Sequence, residues 1–113
     1  KECEFDRALP GLPGLETALG LSLRLVAEGL LSAPQLVDAL SATPARILSL
    51  PGGSLEPGSV GDVTVIDPAV SWTVDARAFR SKARYTPFDG WTMKGRAICT
   101  IVAGEILYEA AGR

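Results

Sequence analysis

The sequence predicts an α/β arrangement in which short helices precede a small β-sheet. Helical periodicity and capping signals occupy the first fifty residues, and β-rich runs separated by turn residues follow Pro51. Composition is the third observation, because 47% of the 113 residues are hydrophobic and 21% are charged, as in a folded globular domain. A chain of this length buries a modest core, so we expect one compact domain or part of a larger one.

The first helix is expected to begin at Leu15, after a loop that contains Pro10-Gly11 and Pro13-Gly14. Its apolar side chains form a wide arc, and the narrow polar side holds Thr17, Gly20, Arg24 and Glu28. Such an arc requires burial on several sides, which the rest of this chain hardly provides. Gly29 is the expected end of the helix.

Two further helices are predicted by capping signals. Ser32 with Gln35 forms a capping box before a second helix, and Thr43-Pro44 is expected to start a third by the same logic. The core face of the second helix is predicted to consist of Ala33, Leu36, Val37 and Leu40.

The second half of the chain predicts three or four strands. Residues 62–67 form a β-rich run that Pro68 ends, and residues 71–74 form a weaker second strand. Residues 97–103 and 106–108 are expected to form a hairpin with Gly104-Glu105 as a type II′ turn. So few strands make an incomplete sheet whose edges need partners.

Charge and cysteine content exclude several classes of protein. A net charge of −2 argues against nucleic acid or an anionic membrane as the main partner. No stretch is apolar enough to span a membrane. Cys3 and Cys99 lie at opposite ends of the chain, which favours reduced thiols in a cytosolic protein. The chain starts at Lys1 without an initiator methionine, and we expect it to begin inside a longer protein.

The residue inventory also excludes several kinds of catalysis. The chain contains no histidine, so Ser-His-Asp and Cys-His arrangements and a histidine-based zinc site are ruled out. Cys99 alternates within an apolar strand and is expected to be a buried, inert thiol. Trp72 and Trp91 are expected to be packing anchors. Pro10-Gly11 is either a tight turn or a loop whose uncovered backbone lets a ligand approach closely.

The run from Ser81 to Trp91, Ser-Lys-x-Arg-x-Thr-Pro-Phe-x-Gly-Trp, resembles the C-terminal signature of the dihydroorotases. Further landmarks follow in family order, namely Gly14-Leu15-Glu16-Thr17-Ala18-Leu19, Thr43-Pro44-Ala45-Arg46-Ile47-Leu48, Gly58, Gly61-Asp62 and Trp72-Thr73-Val74. Many amidohydrolases share the shorter landmarks, and allantoinases and hydantoinases have a looser version of the long run.

The resemblance implies a (β/α)8 barrel beside a small composite β-sandwich. Residues 1–50 would then supply the last loop and the closing helices of the catalytic barrel. Residues 51–113 would supply the C-terminal strands of the sandwich. The N-terminal remainder of the enzyme would complete both, and it would hold the catalytic and metal residues.

The resemblance also implies the activity. Dihydroorotases are zinc-dependent hydrolases of cyclic amides that interconvert N-carbamoyl-L-aspartate and dihydroorotate in pyrimidine biosynthesis in the cytoplasm. Pro10 and Gly11 would contact this small-molecule substrate through their backbone. The family often has an aromatic residue where this chain has Pro10, so the resemblance supports substrate contact through Gly11 more strongly than through Pro10. A homodimer or aspartate transcarbamoylase would be the expected protein partner.

Three alternatives stay open at this point. In the first, the chain belongs to another cyclic amidohydrolase, such as an allantoinase or a hydantoinase. In the second, it belongs to a non-catalytic dihydroorotase-like scaffold for aspartate transcarbamoylase. In the third, it is a free-standing binding module. Intact His-x-His and Asp metal ligands in an upstream polypeptide would favour an enzyme over a scaffold.

Overall fold

The structure, a computed structural model, describes Glu4, Arg7 and residues 11–110. The helical elements are α1 (Leu15–Ala27), α2 (Ala33–Val37), a π-helical segment (Asp38–Ala42) and α3 (Thr43–Ile47). The later elements are β1 (Val63–Thr73), a 3-10 turn (Ala76–Ala78), β2 (Thr92–Val102) and β3 (Glu105–Glu109). The strands form an antiparallel sheet in the order β1-β2-β3. The predicted order, in which short helices precede a small β-sheet, is therefore confirmed.

Helix α1 ends as the sequence predicts. Gly29 adopts a φ of +74°, its N–H donates to the Val26 carbonyl at 3.0 Å, and the Leu30 N–H donates to the Leu25 carbonyl at 3.0 Å. This pair of bonds is a Schellman motif, which needs a left-handed residue that glycine adopts without strain.

The side of α1 that packs on the sheet differs from the amphipathic pattern. Thr17 is fully buried and Gly20 is buried, whereas Leu15 is 91% exposed. A Cβ on Gly20 would lie 2.8 Å from the Met93 sulfur and 3.3 Å from Trp72 Cζ2. Small residues therefore let the helix approach bulky side chains of the sheet, and the prediction of a polar side at Thr17 and Gly20 was wrong.

The second helix starts at the predicted capping box. The Gln35 N–H donates to Ser32 Oγ, and the Ser32 N–H donates to Gln35 Oε1 at 2.8 Å. Of the predicted core face, only Leu36 is buried; Ala33 is exposed, and Val37 and Leu40 are more than half exposed. No described element covers these two side chains, so the predicted face is only partly buried.

The third helix does not start afresh at Thr43. The chain stays helical from Val37 to Thr43, and the Thr43 N–H donates to the Asp38 carbonyl in a π turn. Pro44 lacks the N–H that would extend the α-helical pattern, and the wider turn accommodates it. The predicted cap at Thr43 was therefore wrong, and its hydroxyl instead donates to Asp38 Oδ2 at 3.0 Å.

The two strands predicted on either side of Pro68 are one strand, β1. Its register on β2 is irregular between Asp67 and Ser71, and Asp67 Oδ1 accepts the Ala69 N–H at 2.9 Å. This irregularity lets the proline sit in an edge strand, where its missing N–H costs no ladder bond.

The predicted hairpin is confirmed, but its turn lies one residue earlier. Val102 pairs with Glu105, and both Ala103 (φ +51°) and Gly104 (φ +83°) are left-handed, as a type I′ turn requires. Asp62 Oδ1 accepts the Ala103 N–H at 2.8 Å, so the residue directly before β1 stabilises this turn.

The core lies where α1, the sheet and residues 74–93 meet. Val74, Phe79 and Met93 form its buried centre, and the half-buried residues packed against it are Leu21, Trp72 and Phe88. The packing role predicted for Trp72 is confirmed. Trp91 is 44% exposed and contacts Phe88 edge to face, and Cys99 is half-buried, so both are less buried than expected. Within residues 11–110, no helix is long and apolar enough to cross a membrane.

Candidate functional site: the loop before helix α1 and its support

The predicted ligand loop precedes α1. Gly11 is exposed and has a φ of +64°, and a Cβ there would meet no described atom within 4 Å. Its backbone groups are therefore accessible, as close contact with a ligand requires. Pro10 lies outside the described residues. Ligand contact through either residue stays a prediction.

The loop passes directly into a well-fixed helical turn. The Gly14 carbonyl accepts the Ala18 N–H at 2.8 Å and the Thr17 N–H at 3.1 Å. Thr17 is fully buried, so this turn is anchored in the interior of the fold. Gly14 has no side chain with which to cap the helix. The position of the loop near Gly11 therefore depends on what holds the first turn.

A carboxylate in that turn binds the start of the long signature run. Glu16 Oε1 accepts the Ser81 N–H at 3.0 Å and the Ser81 hydroxyl at 2.8 Å. Glu16 Oε2 accepts the Arg80 N–H at 3.1 Å. These three hydrogen bonds join segments more than sixty residues apart in sequence. We call this contact of Glu16 with Arg80 and Ser81 the Glu16 clamp.

The clamp favours the ionised form of its carboxyl group. Partial burial alone would raise the pKa of Glu16, but the hydrogen bonds from Ser81 and Arg80, together with the positive charge of Arg80, outweigh burial. The pKa of Glu16 is therefore lowered from its ordinary value of 4.5. A charged acceptor makes these hydrogen bonds stronger than those between neutral groups.

The rest of the signature run folds back onto the core. The Asp89 carboxylate accepts the Ala76 N–H at 2.8 Å, and the Gly90 N–H donates to the Val74 carbonyl at 2.8 Å. Thr86 is buried, and the Arg84 guanidinium donates to the Arg77 carbonyl. The run is thus a structural loop that carries the clamp, with Lys82 and Arg84 exposed to solvent.

Sequence reasoning did not single out Glu16. A carboxylate in a first helical turn is ordinarily explained by the helix dipole, so the residue type carries no special signal. Its place between Leu15 and Thr17 in the Gly-Leu-Glu-Thr landmark was the available pointer. That landmark and the Ser-Lys-x-Arg run bind each other, and only the fold shows this.

The donor set of this chain does not fit a zinc centre. The sequence has no histidine, and residues 11–110 hold no group of three or more cysteine and carboxylate side chains placed to share a metal ion. Zinc sites in proteins use three or four such ligands. No catalytic step is therefore assigned to a metal held by these residues.

An open apolar groove of about 410 Å³ lies between α1 and the sheet. Its wall includes Leu23, Ala27, Pro68, Trp91 and Lys94. Gly11 does not line it, and its polar groups form no reactive cluster in the described part of the chain. The groove therefore offers no second candidate site.

Comparison with known proteins supports the resemblance. Residues 12–107 match the amidohydrolase family. The chain is 54% identical over 110 residues to a dihydroorotase from Citrifermentans bemidjiense, covering 97% of this chain and 26% of that protein. It is 56% identical over 108 residues to a dihydroorotase from Syntrophotalea carbinolica, covering 96% and 25%.

Solved structures give the same picture. An L-hydantoinase (dihydropyrimidinase) from Arthrobacter aurescens superposes with a TM-score of 0.82 at 36% identity, covering 88% of this chain and 23% of that one. A D-hydantoinase (dihydropyrimidinase) from Thermus sp. gives a TM-score of 0.78 at 26% identity, covering 93% and 24%. The chain spans about a quarter of the length of the curated relatives that it matches. On this evidence, the chain belongs to the amidohydrolase family.

Proposed function

We propose that this chain is the C-terminal segment of a dihydroorotase, which interconverts N-carbamoyl-L-aspartate and dihydroorotate in pyrimidine biosynthesis in the cytoplasm. One observation carries the proposal. Curated dihydroorotases match 96–97% of the chain at 48–56% identity. The solved hydantoinases match it at 36% identity or less.

The proposal assigns the reactive centre to the remainder of the enzyme. The dihydroorotase relatives are about four times as long as the matched segment, which leaves ample chain to supply metal ligands. Zinc, when bound there, would supply a nucleophilic hydroxide. The residues described here would position the substrate loop and support the fold.

The two-part organisation expected from the sequence belongs to the same proposal. Residues 1–50 supply the last loop and closing helices of a barrel, and residues 51–113 supply strands of a sandwich. Exposed leucines support this arrangement, for example Leu30 (68%) and Leu55 (78%). The outer edges of β1 and β3 are unpaired within the described residues, which also supports it.

In this proposal, the loop at Pro10 and Gly11 is the part of the chain that binds the substrate. The open backbone at Gly11 supports a hydrogen-bonding role that no side chain obstructs. We expect Gly11→Leu in the whole enzyme to raise KM for dihydroorotate about tenfold, since a side chain would occupy the space of the substrate. Bound zinc should not change, because no ligand is affected.

A matched control separates backbone strain from substrate contact. Gly58 has a φ of +92° and equally open surroundings among the described residues. Gly58→Leu should therefore introduce similar strain and leave KM unchanged. An unchanged KM in Gly11→Leu would remove the loop from the binding site.

Substrate specificity tests the proposal against its nearest alternative. The hydantoinase structures favour a second candidate, a cyclic amidohydrolase that prefers hydantoins or dihydropyrimidines. The purified whole enzyme should be assayed with dihydroorotate, hydantoin, dihydrouracil and allantoin. A higher kcat/KM for dihydroorotate is expected. A higher kcat/KM for another substrate would refute the proposal, and no turnover together with binding to aspartate transcarbamoylase would favour the scaffold.

A further inference from the structure

We infer that Glu16 is a positioning residue for the substrate loop, which it orients by clamping the first turn of α1 to Arg80 and Ser81. The inference rests on the proposed function and deepens it, because it names the support of the same site. Glu16 does not touch substrate in this account. It acts through the turn that follows Gly14.

The clamp uses both oxygens of the carboxylate. Oε1 takes two donors from Ser81, at 3.0 and 2.8 Å, and Oε2 takes the Arg80 N–H at 3.1 Å. Two of the donors are backbone N–H groups, so the contact depends on the path of the chain at residues 80–81 more than on side-chain identity. Two occupied oxygens define an orientation, which a single hydrogen bond leaves free.

Two contacts at different angles fix the first turn. Thr17 is fully buried, and Glu16, about 100° away around the helix axis, binds the signature loop. Together they restrict the rotation of α1. The loop that ends at Gly14 starts from this fixed turn and carries Gly11 three residues earlier.

The far side of the clamp lies directly beside the buried core. Phe79 is 5% exposed and lies in the buried centre with Val74 and Met93, directly before Arg80. The Arg84 guanidinium binds the Arg77 carbonyl and closes the loop on itself. Glu16 therefore connects the substrate loop to the segment that follows Phe79 in the buried core.

A loosened loop should weaken substrate binding before it slows chemistry. Displacing a binding group by about 1 Å is enough to lower the efficiency of an enzyme strongly. The groups at Gly11 bind the substrate ring and do not react with it in this account. Loss of the clamp should therefore raise KM and leave kcat largely unchanged.

The test is a double-mutant cycle in the whole enzyme, with KM and kcat for dihydroorotate, bound zinc and melting temperature measured for every variant. Glu16→Gln removes the charge, and Ser81→Ala removes the hydroxyl donor. We expect KM to rise about tenfold and about threefold respectively, with kcat within about twofold. The double variant should resemble Glu16→Gln, because each change breaks the same contact.

The controls use the same chemical changes elsewhere. Glu28→Gln alters an exposed carboxylate at the other end of α1, whose partner is the exposed Arg24, and should leave KM unchanged. Ser59→Ala removes an exposed hydroxyl and should do the same. If Glu16→Gln does not fold, the KM values of Ser81→Ala and Ser59→Ala are compared instead. The positioning role then requires a higher KM in Ser81→Ala.

The outcomes separate the inference from the proposed function. A lower melting temperature with unchanged KM, or additive effects in the double variant, would overturn the positioning role. If the wild-type enzyme turns over hydantoin but not dihydroorotate, the dihydroorotase proposal fails. The same cycle measured with hydantoin then tests Glu16 independently.

Discussion

The contact of α1 with the sheet and the segment from 30 to 60 differ sharply in how they bury apolar side chains. In the first region, Gly20 of the helix faces Trp72 and Met93, and Val74 is 1% exposed. In the second region only Leu36 is buried. Leu31 is half-buried, and the other large apolar side chains are 41–78% exposed, namely Leu30, Val37, Leu40, Ile47, Leu48, Leu50, Leu55 and Val60.

This difference separates an internal core from a surface that awaits a partner. Soluble proteins rarely expose so many large apolar side chains together, and such patches mark sites of association. In the first region, Val74, Phe79 and Met93 form a buried centre, and no buried side-chain nitrogen or oxygen of the described residues lacks a hydrogen-bond partner. The second region therefore marks where we expect the remainder of the proposed enzyme to pack.

The largest effect should come from breaking the close contact in the first region. Gly95 is buried with a φ of +83°, and a Cβ there would overlap Leu23 Cδ1 and lie 3.4 Å from Pro68 Cα. Gly95→Ala should lower the free energy of unfolding by about 3 kcal/mol or more, from left-handed strain and overpacking combined. Chemical denaturation of the whole enzyme measures it.

Gly90→Ala is the matched control. Gly90 has a φ of +79°, and a Cβ there would meet no described atom within 4 Å. Gly90→Ala should therefore lower the free energy of unfolding only by the backbone strain, about 1 kcal/mol. If both variants lose the same free energy of unfolding, the close packing of Leu23 on Gly95 does not contribute to the loss in Gly95→Ala.

The second effect concerns the exposed region. Ile47 is 72% exposed in this structure. If the remainder of the enzyme covers it, Ile47→Ala should lower the free energy of unfolding of the whole enzyme by about 2 kcal/mol, as for buried side chains. Exposed Glu56→Ala, in the same region, should change it by less than about 0.5 kcal/mol. If Ile47→Ala lowers the free energy of unfolding as little as Glu56→Ala does, this surface is exposed to solvent in the whole enzyme.

The smallest effect is the pH dependence of the clamp. Because the pKa of Glu16 is lower in the folded state than its ordinary value of 4.5, its contribution to stability is fully present above that value. The contribution is lost as the pH falls through the lowered pKa. The melting temperature of the wild type should therefore exceed that of Glu16→Gln at pH 6, and the difference should shrink below pH 4.5.

Glu28→Gln provides the comparison for this titration. Its carboxylate binds only the exposed Arg24 side chain among the described residues, at 2.7 Å, and exposed pairs contribute little. Its melting temperature should stay close to that of the wild type throughout. A difference between wild type and Glu16→Gln that does not change with pH would contradict a charged clamp.

Local signals in the sequence anticipated much of the fold. The capping box at Ser32 and the glycine stop at Gly29 are confirmed, because both depend on hydrogen bonds within a few residues. Errors arose where neighbours in space override local rules. Pro68 was expected to end a strand, but the pairing of β1 with β2 continues through an irregular register.

The candidate site was anticipated only in part. Gly11 was chosen by position, and its open, left-handed backbone agrees with a contact role without testing it. Glu16 was missed, since its partners Arg80 and Ser81 follow it by 64 and 65 residues. No local pattern reveals a hydrogen bond over such a separation.

By itself, the sequence determined the order of helices and strands, the absence of a histidine-based centre and the resemblance to amidohydrolases. These depend on residue type and on spacing over a few positions. Only the tertiary structure decided which face of α1 is buried and what Glu16 binds. The reason is steric, because the bulky side chains Trp72 and Met93 lie so close to the helix at Gly20 that a Cβ there would overlap Met93. The leucine-rich side is thereby left partly exposed, with Leu15 facing solvent.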